Sequence, residues 1–332
     1  MTSTQLKRWS LVLSLIILVS VSVNVFAEEA KVVWRLGGAH SVGTPETIGI
    51  YYFAKLVEEK TNGEMKIEVY PAGQLGDAVG SIENVIIGAQ EMYANGMDWS
   101  VHVVNDFGIF ASFFVFSSLD HMIRFLETDR YKQMEQEMIN KGIRILAKNW
   151  YRLPRVLLTK FPVLSMEDVK GHTFRMPALE TYFKVWEKLG VNPVEIPWAE
   201  TYTALDRGLA DGTGSPLGSI YGMGFYREAP FITLTQHMLM PFILLVNERA
   251  YQALDSELRL KLDEAAREAG DYYTEILKKK FTEEKLKMLD EGAVFVEIST
   301  RLFLQKAQEV ALEFEEKGLW SKGLFDYIQS IK

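Results

Sequence analysis

The chain contains no cysteine. Disulfides, thiolate nucleophiles and cysteine-held metals are excluded, so stability must come from core burial. Histidine is scarce: five residues at 40, 102, 121, 172 and 237, none spaced as H-E-x-x-H, which leaves no metal reading. There is no P-loop and no G-x-S-x-G nucleophile elbow. Gly214-Ser215 is followed by Pro216, with no identifiable base. Catalytic and cofactor readings therefore have no motif to rest on, and no cofactor is implied. Long like-charge runs, low-complexity tracts and internal repeats are missing as well. After residue 27 no stretch is apolar for long enough to span a membrane.

What is present is a globular composition, 48% hydrophobic and 24% charged. Over 332 residues this suffices for two domains or one large one. The first 27 residues stand apart. Lys7 and Arg8 precede an apolar run from Leu11 to Val25, and Val25-Phe26-Ala27 ends it with small residues at the positions a signal peptidase reads. This is a secretory leader with cleavage predicted after Ala27; an uncleaved anchor is the competing reading, for which the run is short. No cysteine follows to carry a lipid. Removing the leader takes away two basic residues, leaving 34 basic and 44 acidic, a net charge of −10. An acidic exported chain is a poor nucleic-acid ligand.

Periodicity predicts an α/β fold. Lys31–Gly37 reads as a strand, Pro45–Thr61 as a helix, Met65–Tyr70 as a strand and the residues after Gly76 as a helix, an order that implies parallel strands. Met92–Gly96 is a third strand, Leu119–Lys141 a single helix and Ile143–Lys148 a strand. Ser256–Asp290 keeps a helical period with no proline; 35 residues at 1.5 Å give a rod of ~50 Å. Arg301–Lys317 is another amphipathic helix. The lobes are expected as 28–152 plus 241–280 and 153–240 plus 281–332.

The stretch Arg155–Leu217 carries the chemistry. Phe174-Arg175-Met176-Pro177 ends a short strand, since the residue before proline is held extended. An arginine at the C-terminal end of a strand in an α/β fold faces the crevice where ligands sit. Its planar fork matches a carboxylate. Pairing with Glu180 or Glu200 on a surface is the bland alternative. Arg155 and Arg152 lie upstream, and one of these two is free to be merely solvated.

E-D-V-K-G-H-T-F-R-M-P at 167–177, W-A-E-T-Y-T-A-L at 198–205, A-D-G-T-G-S-P-L at 210–217 and W-Y-R-L-P-R at 150–155 occur in order. Together they resemble the DctP-type substrate-binding proteins of TRAP (tripartite ATP-independent periplasmic) transporters, across nearly the whole mature chain. The resemblance implies a two-lobed periplasmic binding protein with mixed sheets and a long helix spanning both lobes. It implies capture of a small organic acid and delivery to a TRAP membrane permease, by a monomer that is not an enzyme. It assigns the substrate carboxylate to Arg175, with Arg155 as the second arginine. Ser215 stands where many members have asparagine, and Ser-Pro also suits a plain turn. Phe113 replaces a proline in F-F-V-F at 113–116. Glu83 matches an acidic position that some members turn inward, with a solvated helix face the stronger account from the residues alone. Trp150, Trp198, Phe114 and Tyr221 are candidate walls, with core packing the stronger account of Trp198 and Tyr221. Asn95, Trp99 and His40 lie on loops at strand ends. Two rivals remain open: a binding protein that feeds a sensor or another transporter class, and a secreted hydrolase or lyase acting on carboxylates.

Overall fold

The computed structural model describes residues 30–332, so the leader expected at 1–27 lies outside it. The strands are β1 (Val32–Gly38), β2 (Met65–Tyr70), β3 (Met92–Gly96), β4 (Ile143–Tyr151), β5 (Arg155–Thr159) and β6 (Thr173–Met176). They continue as β7 (Asn192–Glu195), β8 (Gly212–Pro216), β9 (Phe231–Met238), β10 (Pro241–Asn247) and β11 (Val294–Val296). Two sheets result, ordered β2-β1-β3-β10-β4 and β11-β9-β5-β8-β6-β7. In the first, β1 runs parallel to β2 and β3, while β10 runs antiparallel to β3 and β4. Parallel neighbours need crossovers, and the helices Pro45–Lys60 and Ala78–Ile87 supply them. Thr44 caps the first through its side chain, with Pro45 at the opening position that lacks a use for an N–H. Every residue of β10 is buried, which explains its unbroken P-F-I-L-L-V-N run.

The chain crosses between sheets at 152–154 and again at 239–240. The third link is the helix Ser256–Asp290, which has the bounds the periodicity predicts. Leu262, Ala266, Ala269 and Tyr273 share a core with Trp34, Phe53, Trp150 and Phe242 of the first lobe. Further along, Met288 joins Val156, Leu158, Ile220 and Phe225 of the second. The architecture is therefore two α/β lobes braced by one long helix.

Three details depart from the periodicity. The single helix expected over 119–141 is two, Leu119–Leu126 and Asp129–Asn140, because the Thr128 side chain accepts from Tyr131 N and starts a new helix. Ser215 lies inside β8 rather than in a turn. A terminal helix, Leu324–Ser330, packs on residues 115–124: Gln329 Nε2 donates to the Val115 carbonyl at 2.8 Å, and His121 Nε2 lies 2.8 Å from the Ile328 carbonyl. Among the described residues no helix is long and apolar enough to cross a membrane.

Gly270 shows how tightly the brace is seated. A Cβ there would lie 2.5 Å from Asn149 Oδ1 and 2.6 Å from Trp150 Cδ1. Alanine is the better helix former by ~1 kcal/mol, but overpacking costs ~1–3 kcal/mol. Gly270→Ala is therefore expected to lower the denaturant midpoint; a raised midpoint would remove the close-packing account.

Candidate functional site

Strand ends from both sheets converge on one cavity of about 150 Å³, several times the ~30 Å³ share of a water molecule in the liquid. The first lobe contributes His40 from the loop after β1, Asn95 from β3, and Asp98 and Trp99 from the turn of 3-10 helix at Met97–His102. Arg152 comes from the first crossing and Arg155 from the start of β5. The second lobe contributes Arg175 from β6, Pro177, Glu195 from the end of β7, and Trp198. The lobes approach each other at the mouth. The His40 and Trp198 rings are 5.5 Å apart, and a Cβ on Gly73 would lie 4.0 Å from the Ala199 Cβ.

The three arginines differ in what neutralises them. Arg152 is buried and satisfied: its Nη2 donates to Glu46 Oε1 at 3.0 Å and lies 3.0 Å from His40 Nε2. Arg175 is 2% exposed and Arg155 7% exposed, yet neither forms an ion pair among the described residues. Arg175 Nε donates to the Ile196 carbonyl at 2.7 Å, and its guanidinium carbon lies 5.5 Å from the Trp198 ring centre. Arg155 Nη1 donates to the Gly214 carbonyl at 2.6 Å, and its Nε is buried without a partner. Burial, and after it the charge of Arg155, pushes Arg175 down to about 9, so Arg175 is still cationic at neutral pH. The surface pairing with Glu180 or Glu200 does not occur.

Of the other expected residues, Asn95 and Trp198 line the cavity, and Trp198 does so despite the expectation of core packing. Trp150 does not. It is buried against Phe242 and Tyr273, and its Nε1 donates to the Ala266 carbonyl of the long helix at 3.0 Å. Ser215 is buried in β8 with its hydroxyl donating to the Pro216 carbonyl at 3.0 Å. Phe114 takes a left-handed φ of 57°, donates its N–H to the His237 carbonyl and meets the Phe303 ring away from the cavity. Glu83 is exposed on its helix and is not a lining residue. Arg152, which sequence left free to be solvated, is instead a buried wall residue. Asp98 had no signal beyond its position just after a strand-ending Asn-Gly.

Two α/β lobes closing on a cavity with unpaired cations define a solute-binding protein. Residues 36–317 match the family described as "Bacterial extracellular solute-binding protein, family 7", DctP, and the chain belongs to that family. It is 26% identical over 301 residues to a solute-binding protein of Chromohalobacter salexigens, covering 90% of this chain and 89% of the other. It is likewise 26% identical to the sialic acid-binding periplasmic protein of Vibrio cholerae, covering 74% and 76%. Among solved structures, a TRAP periplasmic solute-binding protein from Roseobacter denitrificans with bound β-D-glucuronate superposes with a TM-score of 0.85. That pair shares 28% identity, covering 90% of this chain and 100% of that one.

Behind the cavity, Glu46 ties the lobes. Its Oε1 accepts from Arg152 and, at 2.6 Å, from the Ser219 hydroxyl of the second lobe. Burial works against its charge, but His40, Arg152 and Ser219 together hold it down to about 2. His40 itself is driven down to about 4, chiefly by burial, and is neutral at pH 7. Because Arg152 can only donate, His40 Nε2 accepts and the ring proton is assigned to Nδ1. The folded Glu46 carboxyl lies below its ordinary 4.5, so its contribution is complete above pH 4.5 and is lost as pH falls toward 2. Glu46→Gln leaves Arg152 buried without a counter-charge and is expected to cost ~3–5 kcal/mol at pH 7. That deficit should shrink between pH 4.5 and 2, as read by urea unfolding; a deficit independent of pH would rule out the ion pair as its source.

Proposed function

We propose that this chain captures a small organic acid outside the cytoplasm and delivers it to a TRAP-type membrane permease. Signal-peptide cleavage after Ala27 would release it to the periplasm. The lobes are taken as 28–152 plus 241–280 and 153–240 plus 281–332, with the terminal helix strapped onto the first lobe. The observation that carries this reading is Arg175: a charge 2% exposed, facing a cavity, with no acidic partner among the described residues. Leaving such a charge buried and unpaired is costly, and a ligand carboxylate removes the cost. Arg155 adds a second cationic group, so one carboxylate can lie between them. Asn95 and Trp198 complete the contact surface proposed here, with Trp198 covering an apolar face of the ligand. Trp150, Ser215, Phe114 and Glu83 are proposed to shape or border the site without touching ligand. Relatives whose names give sialic acid and whose structure holds β-D-glucuronate, both carboxylates, support an acid as the cargo.

Thermal shift of unfolded-and-refolded protein against organic acids, with matched neutral amides, tests this. An acid at a hundred times its Kd adds ~2.7 kcal/mol. Acids are expected to raise Tm and amides to leave it unchanged; shifts with neutral compounds alone would overturn the carboxylate reading. For an acid that binds, Arg175→Ala should cost ~2–5 kcal/mol, at least about thirtyfold in Kd by calorimetry.

A further inference from the structure

The cavity holds more unpaired polarity than a carboxylate consumes. Asp98 is 2% exposed, and its Oδ2 accepts from the Tyr182 hydroxyl at 2.8 Å. Its Oδ1 is buried without a well-formed hydrogen bond among the described residues. Gly96 makes room for that oxygen: a Cβ there would lie 2.5 Å from Asp98 Oδ1. Arg155 and Arg152 both act on it electrostatically, and Tyr182 touches both Arg155 and Asp98, yet neither arginine forms an ion pair with Asp98 among the described residues. Other lining residues also carry buried unpaired atoms, Trp198 Nε1 and His40 Nδ1, each of which can donate a hydrogen bond.

A ligand that satisfies this set has a carboxylate at one end and hydroxyls along its body. A hydroxyl both donates to Asp98 and accepts from the indole or imidazole N–H. A second carboxylate has no proton to give Asp98 and meets its negative charge in a site screened from water. Arg152 offsets that charge only in part, because Glu46 is its ion-pair partner.

We propose that Asp98 is a specificity-determining residue, accepting a hydrogen bond from a ligand hydroxyl through Oδ1, so that the cavity takes hydroxylated monocarboxylic acids and rejects dicarboxylic acids of equal length. This rests on the reading that Arg175 binds the ligand carboxylate. It makes the two arginines and Asp98 a polar ruler: positive at one end, negative at the other, with donors between.

Four six-carbon probes separate the possibilities by calorimetry: D-gluconate, D-glucuronate, hexanoate and adipate. A site built to hydrogen-bond a hydroxyl strongly rejects the analogue that lacks it. At least one hydroxylated acid is expected to bind wild type at least about a hundredfold more tightly than hexanoate and adipate. Asp98→Asn, nearly the same shape without the charge, should narrow the preference over adipate by about tenfold or more. Adipate binding as well as the hydroxylated acids, or an unchanged ratio in Asp98→Asn, overturns the proposal. The wild-type ratios decide it alone if the variant does not fold. Binding lost in Arg175→Ala but blind to hydroxyls sinks only the role of Asp98. Binding indifferent to Arg175, or no binding by any probe to refolded protein, sinks the carboxylate reading as well.

Discussion

A buried guanidinium without a carboxylate of its own is the constraint around which this molecule is built. Charges are taken out of water only where something repays the desolvation. Arg152 is repaid within the chain by Glu46. Among the described residues Arg155 and Arg175 receive carbonyl oxygens and the faces of Tyr182 and Trp198, and no carboxylate in an ion pair. Each of those contacts is weaker than a carboxylate, and the two cations also repel each other. The fold must therefore be rigid enough elsewhere to hold them in place, and it is: both arginines sit at strand ends in a six-stranded sheet, with the cores of both lobes fastened to one long helix.

Where each arginine finds its partner also assigns its mechanical role. The Arg152–Glu46–Ser219 knot joins a first-lobe helix, the first crossing and the second lobe at a single carboxylate oxygen. Close by, a Cβ on Gly222 of the second lobe would fall 2.8 Å from Thr44 Cγ2 of the first, so backbone approaches backbone behind the cavity. The satisfied charges lie where the lobes stay together. The unsatisfied ones lie where they meet across the ligand space.

Much of this could be read from the residues in order. The 35-residue helix shows in its unbroken period, and Arg175 shows because proline fixes the strand end that aims it. Other parts depend on distance in the chain. Glu46 lies 106 residues before Arg152, so nothing local distinguishes that arginine from a solvated one. Trp150 has the spacing of a site residue, but its neighbour across the sheet is Phe242, and its indole N–H is claimed by the long helix. Asp98 follows Asn-Gly like many turn carboxylates; only the folded arrangement buries it with one oxygen unpartnered. Thr128 was a cap hidden within a helical period, because a period reports faces and not ends.

The approach of the two lobes across the cavity has an energetic consequence. With the cleft open, water solvates Arg155 and Arg175 and the repulsion between them is screened. Closing the cleft without ligand strips that water and returns nothing to the two cations. Closing it around an anion returns charge-assisted hydrogen bonds in a site of low dielectric, where they count most. A ligand shifts the open–closed balance only by its differential affinity for the two forms. Here the differential is electrostatic and belongs to groups from the second sheet, while Asp98, Asn95 and His40 belong to the first. On the proposed reading, an anion that satisfies only the guanidinium groups gains part of what closure offers. On that same reading, a molecule that reaches both the guanidinium groups and the first-lobe acceptors gains most from closure, so selection of the ligand and closing of the lobes would be the same physical event.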